Sequence, residues 1–468
     1  MATLNHDMTL PAPLLRAIAQ PVGGQVVLVI GAGTSFEPPT NLPLSSDCAQ
    51  EVHRQLMADG ILSNGDCADP SDLSGVADAV ATRTGSQRDM VVRLPRERFR
   101  QAEPNEGHLL AAAMLYERAL GCVMTLNFDL AMSSALVQVG AGGQVAIVGS
   151  PTDHDNIAIT NLIYLHRNVD ADPDEWVLRS TALDADWKDG WEQIIAQRVI
   201  GALVTVFVGL GTPAGVLVDS TQRIQTVLPA TAQVYLVDPG AMANSAFFQS
   251  LQLLPPSYLR MGWVAFMQRL AGRLIEEQRA ELERACNELI VAEGWDAGNV
   301  ADVCGRLVAM GLIRLGRLRA RWLLHAGAYL PRHTAQTPWL ADLLLAVHLV
   351  ERQTDSTAGF GGNGVVEFRR GDRILGSVGV AHGRGIRRWL SLEAEVKQSQ
   401  WQWEEHHLGP RRVLVSGFVG DRPTSVAPPP DIVSSSDAGD IVTGESLVLL
   451  YSVDHLRQDP QIAADILS

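Results

Sequence analysis

At 468 residues, 46% of them hydrophobic, the chain exceeds one average domain and can bury a substantial core. Its net charge of −15 argues against a general affinity for nucleic acid or anionic membranes. The five cysteines, at 48, 67, 122, 286 and 304, are scattered, odd in number and without a C-x-x-C pair. Neither a disulfide framework nor a zinc ribbon is expected, and reduced, buried thiols in a cytoplasmic protein are. The opening residues carry no basic run or long apolar run, and no stretch approaches about 18 uninterrupted apolar residues. Neither a signal peptide nor a membrane span is therefore expected.

In chain order, residues 11–20 read as a short helix leading into a buried strand, Val26 to Ile30. Gly31-Ala32-Gly33-Thr34-Ser35 follow at once. Glycines directly after a buried strand let the backbone turn tightly and approach a ligand closely. If a helix starts next, its unpaired amides and dipole suit a pyrophosphate. The third glycine of the dinucleotide fingerprint is absent, with Phe36 in its place. Residues 45–60 form a helix, and the polar stretch 61–103 a small helical insertion over the sheet. The apolar-periodic run after PNEGH (104–108) is a helix expected to end at Gly121.

Further strands are expected at 123–126, 145–148, 162–165, 203–208 and 234–237, with helices between them. Short apolar strands alternating with helices imply an α/β, Rossmann-like parallel sheet covered on both faces. Ligands bind such sheets outside the carboxyl ends of the strands. Those ends carry the glycine turn, Asn127, Asp129, His166, the run from Gly209 through Gly211 to Thr212, and Asp238. Singly, each has an ordinary structural role, such as helix cap or turn former. Jointly, five strands deliver unusual residues to one rim.

The ordered series GAGTS (31–35), Asn41-Leu42-Pro43, PNEGH, TLNFD (125–129), LH (165–166), GLGT (209–212) and VYLVDP (234–239) resembles the sirtuins. The closest resemblance is to the divergent sirtuin-like domains of bacterial antiphage defence proteins, over about half of the chain. The resemblance implies NAD as substrate. Gly31, Ala32, Gly33, Thr34 and Ser35 would cradle its pyrophosphate, and Asn127 and Asp129 would line the nicotinamide-ribose pocket. His166 would be the catalytic base, with Gly209, Gly211 and Thr212 on the adenosine side and Asp238 accepting from a ribose hydroxyl. Three departures from the deacylase pattern stand out. No cysteine lies in residues 168–176, where deacylases place a zinc ribbon, so no zinc is expected and a peptide groove is disfavoured. Leu44 replaces an Asp, and Arg167 stands where Gly is usual.

The second half changes character. Residues 267–289 form a long helical connector, 296–353 continue helical, and 354–364 (TDSTAGFGGNG) read as a flexible linker. Arg314, Arg317, Arg319 and Arg321 read as a solvated helix face. Residues 365–421 alternate apolar and polar, as in a small antiparallel β-rich module. Residues 423–436 have a disordered composition, and the adjacent His406 and His407 do not suit one metal from a helix. The expected organisation is an NAD domain at 1–255, a helical connector at 256–355 and a β-rich sensing, oligomerising or partner-docking module at 356–468.

The leading functional expectation is a gated NAD hydrolase of antiphage defence, acting by NAD depletion and abortive infection. It would work as a homo-oligomer or as a hetero-complex with another defence protein, without direct nucleic-acid or membrane binding. Two alternatives stand beside it: a non-catalytic nucleotide-binding scaffold, and a zinc-free deacylase or ADP-ribosyltransferase. Release of nicotinamide from NAD separates the first from the scaffold.

Overall fold

The computed structural model describes residues 9–20, 24–211, 218–219, 221–223, 226, 233–293, 296–314, 337–361, 365–382, 412–416 and 449–467. The chain divides into two compact units, Met1–Leu274 and Ile275–Ser468.

The first unit is built on a seven-stranded sheet. Its strands are β1 (Val26–Ile30), β2 (Leu120–Thr125), β3 (Ala146–Val148), β4 (Asn161–Tyr164), β5 (Val204–Val208), β6 (Gln233–Val237) and β7 (Tyr258–Leu259). Their order is β3-β4-β2-β1-β5-β6-β7, and every neighbouring pair is parallel. All five residues of β1, VVLVI, are buried, because both faces of the central strand are covered. Val27 and Val29 share one core cluster with Met124, Ile163, Trp187, Trp191, Phe207 and Phe247.

The chain steps outward from β1 to β2 and β4, then returns across β1 to β5. The reversal lies between β1 and β5, where such sheets open a crevice at their carboxyl ends. The helices of this half are α1 (Ala12–Ala19), α2 (Gly33–Phe36), α3 (Ser45–Ala58), α4 (Leu73–Thr84), α5 (Arg88–Val91), α6 (Arg96–Arg100), α7 (Glu106–Tyr116) and α8 (Ala131–Gln138). Helices α4 to α6 form the expected insertion. Their core is shared with α3 and with Val169, Trp176 and Leu178.

One local reading is corrected. The helix expected to reach Gly121 ends at Tyr116, and β2 already begins at Leu120. The run from Leu109 to Met124 is apolar with few breaks, and Arg118, at φ 55°, makes the turn between the two elements. After the glycine turn comes the single helical turn of α2, and α3 starts at Ser45, where the expected helix begins.

In the second unit, β8 (Thr357–Phe360), β9 (Val365–Arg370), β10 (Arg373–His382), β11 (Arg412–Ser416) and β12 (Leu449–Ser452) form a sheet of order β12-β11-β10-β9-β8. Strands β8 to β10 pair antiparallel, but β10-β11 and β11-β12 pair parallel, so the sheet is mixed rather than antiparallel. Within 354–364, expected as a linker, Thr357–Phe360 is an edge strand. Glycine lowers strand propensity there, but the ladder to β9 holds it, and Glu351 accepts the amide of Ala358 at 2.5 Å. Glu351 also takes Arg306 Nη2 at 2.7 Å. The helices Trp263–Glu293, Ala297–Val308 and Thr337–Thr354 contribute to one core with these strands. Arg317, Arg319, Arg321, His406, His407 and residues 423–436 lie outside the described residues.

At the β1/β5 reversal, a Cβ on Gly33 would stand 2.8 Å from Gly209 Cα, and one on Gly31 2.5 Å from Leu210 Cδ2. Gly143 has open space around it. Gly33→Ala should therefore lower the unfolding free energy by about 1–3 kcal/mol, and Gly143→Ala by no more than about 0.5 kcal/mol. Urea unfolding of the two variants measures the difference, and equal midpoints would contradict the packing.

Candidate functional site

The rim at the carboxyl ends of β1, β2 and β4 is built on backbone contacts. Gly31 N donates to Val208 O at 3.0 Å, and Gly33 N to Gly209 O at 2.9 Å. Gly209, at φ 67°, lets its backbone lie against Thr34. Thr34 N and Ser35 N close the turn on Gly31 O and Ala32 O. The amides of Gly31, Gly33, Thr34 and Ser35 thus all have partners within the chain. What the glycines provide is the close crossing of the loops after β1 and β5.

The hydroxyls carry the chemistry of this turn. Thr34 Oγ1 donates to Gly31 O at 2.8 Å, and Ser35 Oγ donates to Asp129 Oδ2 at 2.8 Å. Each hydroxyl has one proton, so each oxygen can only accept from Asn127. Asn127 Nδ2 donates to Ser35 Oγ at 3.2 Å and to Thr34 Oγ1 at 3.4 Å. This pattern fixes the Asn127 amide with its NH₂ toward the turn and its carbonyl on the opposite side. Asp129 Oδ1 accepts from Ala131 N at 2.9 Å and starts α8. Burial raises the Asp129 carboxyl above its ordinary range despite these donors.

His166 follows β4. The amide of Leu165 donates to Thr125 O at 2.9 Å, which extends the β2–β4 pairing up to the histidine. The imidazole lies 6.3 Å from the Phe128 ring, and Phe128 stacks on Trp176 at 4.3 Å. Its Nε2 is buried and makes no hydrogen bond. An imidazole ordinarily titrates at about 6.5. Desolvation, then the charge of Arg167, lowers it to about 4, so the ring is neutral at neutral pH. Arg167, at φ 72°, is turned onto Asp186, with Nη1–Oδ2 at 3.2 Å.

The remaining expected residues lie further along the rim. Asp238 follows β6, and its Oδ1 accepts from Gly240 N at 2.6 Å. Gly211 is exposed, and Thr212 lies outside the described residues. The structure thus joins Thr34, Ser35, Asn127 and Asp129 in one network, with His166 beside Phe128 of the same turn. It gives Asp238 a turn of its own.

Several positioning residues escaped the sequence reading. Asn105 Nδ2 donates to Thr34 O at 2.8 Å and to Glu37 O at 3.2 Å, while Asn105 Oδ1 accepts from His108 N and caps α7. His108 Nδ1 in turn accepts from Asn105 N at 3.3 Å, and burial lowers this histidine to about 3. Glu37 caps the helix Trp263–Glu293 by accepting from Trp263 N at 2.6 Å and Val264 N at 3.3 Å. Helix α6 ties three loops together. Arg98 Nη2 donates to Asn41 O at 2.7 Å, Arg96 Nη2 to Val169 O at 3.1 Å, and Phe99 O accepts from Leu130 N at 3.0 Å. The one advance signal was PNEGH, whose Asn three residues before a His fits a helix start.

No family model and no curated protein matches the chain. Among solved structures, a Sir2 homolog–NAD complex is similar at 16% identity, covering 59% of this chain and 97% of that one, with a TM-score of 0.31. A Sir2 homologue mutant solved with ADP-ribose is similar at 15% identity, covering 58% and 98%, with a TM-score of 0.35. Superpositions this loose assign no role to any residue.

Arg98 is the link from α6 to the loop that closes on Ser35 through Leu42 N. Arg98→Ala should speed amide hydrogen exchange at Leu42 by about tenfold, the equivalent of roughly 1.4 kcal/mol. Unchanged protection there would show that the loop holds without the arginine.

Proposed function

We propose that the first unit binds NAD and hydrolyses it to ADP-ribose and nicotinamide. The observation that carries this reading is the buried, unbonded Nε2 of a neutral His166 on the rim that also holds the Ser35–Asn127–Asp129 network. In the tautomer with its proton on Nδ1, the unbonded Nε2 of His166 accepts a hydroxyl proton. The carbonyl of Asn127, on the side of the amide away from Thr34 and Ser35, is a second acceptor, suited to a ribose hydroxyl or a water.

In this reading the C1′–N bond to nicotinamide breaks through an oxocarbenium-like state, and nicotinamide leaves with the bonding pair. Water supplies the new C1′–O bond and loses its proton. His166 holds a ribose hydroxyl and spreads the developing charge. The pyrophosphate lies against the glycine turn through close approach and the turn's polar edge. The amides of Gly31, Gly33, Thr34 and Ser35 are already engaged, so they are not its main donors. Leu44 in place of an Asp and Arg167 in place of a Gly support a second reading, a nucleotide-binding subunit that does not turn over.

The resemblance to antiphage sirtuin-like domains extends the proposal to a gated effector that depletes NAD in the cytoplasm within a homo-oligomer or hetero-complex. An ungated NADase would harm its own cell.

Incubating the whole chain with NAD and measuring nicotinamide separates the readings. His166→Ala and Asn127→Ala should each lower nicotinamide release by at least about 10²-fold while leaving the unfolding midpoint within a few degrees. Binding of NAD with no release under any condition would favour the scaffold. The pH profile gives a further check. His166 acts in its neutral form, and burial keeps that form populated down to about pH 4. The acidic limb of kcat/KM assigned to this group should therefore fall near pH 4, and a limb near 6.5 would contradict it.

A further inference from the structure

Two buried groups stand outside the rim. Cys286, on the helix Trp263–Glu293, and Cys304, on Ala297–Val308, place their sulfurs 3.4 Å apart. Both lie in the core of the second unit, among Leu282, Ile290, Val300, Val303 and Leu307. They are 1% and 0% exposed. Cys48, Cys67 and Cys122 are free thiols of the first unit, and Cys67 contacts a backbone carbonyl instead. A pair of free thiols in van der Waals contact within an apolar core needs little movement to become a bond.

We propose that Cys286 and Cys304 are an oxidisable dithiol that a small peroxide converts to a disulfide, stapling the two helices. Either thiol can donate to the other across this contact, so whichever sulfur loses its proton is stabilised by the thiol that remains. That thiolate attacks one oxygen of hydrogen peroxide. The S–O bond forms, the O–O bond breaks, and the departing hydroxide takes a proton to become water. The sulfenic acid so formed is then attacked by the partner sulfur, which gives up its proton. The S–S bond forms, the S–O bond breaks, and a second water leaves. Two thiols and one peroxide become one disulfide and two waters. Burial selects a small neutral oxidant over bulky disulfides, and it keeps the pair reduced until such an oxidant enters. The bond would close a loop across an 18-residue separation and restrict the unfolded chain accordingly.

The test uses the intact chain treated with hydrogen peroxide, then unfolded in iodoacetamide and digested without reductant. Alkylated cysteines should fall from five to three, with a 286–304 cross-linked peptide two hydrogens lighter than its parts and five restored by dithiothreitol. The oxidised protein should also unfold at a higher urea concentration than the reduced one. In Cys286→Ser and in Cys304→Ser, peroxide followed by unfolding in dimedone should leave a labelled sulfenic acid on the remaining cysteine of the pair and no cross-link. Five alkylatable cysteines after peroxide, or a cross-link between any other pair, would overturn the proposal. Because the cross-link is read on the unmodified chain, it decides the matter even where a serine variant fails to fold.

Discussion

The arrangement depends on one crossing of main chain, where the loop after β1 passes the loop after β5 at Gly33 and Gly209. No side chain fits between them, because a Cβ on either residue would meet backbone at under 3 Å. The crossing fixes where Thr34 and Ser35 begin. The two hydroxyls then set the amide of Asn127, and Ser35 engages Asp129. A rim of oriented hydrogen-bonding groups follows from a steric fact about glycine.

A second layer of contacts holds that rim from outside. Asn105 grips the turn through Thr34 O while capping α7. Glu37 grips the start of a long helix, and α6 fastens the loops that follow Ser35, Asp129 and His166. These partners are main-chain carbonyls and amides for the most part, so the loops are held in position whatever their side chains do. The helical insertion serves this purpose.

The sheet was legible in the sequence because buried parallel strands write themselves as short runs of Val, Ile and Leu, as in VVLVI and VTVFV. The strand-end residues were legible for the same reason, since each follows such a run. The purpose of the glycines was not, because a sequence does not say which amides are already bonded. Nor was the start of β2, where an apolar run passes from helix to strand with only Glu117 and Arg118 between them. The edge strand at Thr357–Phe360 hid behind its glycines, since what stabilises it is a ladder partner and Glu351 from a distant helix. The depression of His166 depends on burial that exists only in the packed fold, where the Phe128 ring lies beside it.

The cap that Glu37 places on the helix Trp263–Glu293 has an electrostatic consequence. A helix start is the usual source of positive potential for a phosphate, and here a carboxylate already occupies it. The guanidinium of Arg167 faces Asp186, and those of Arg96 and Arg98 face backbone carbonyls. These three cations thus each have a partner within the chain. If the proposed NAD binding holds, recognition at the rim would run on shape and on oriented hydrogen-bonding groups more than on these guanidiniums, and ordinary salt would weaken it little.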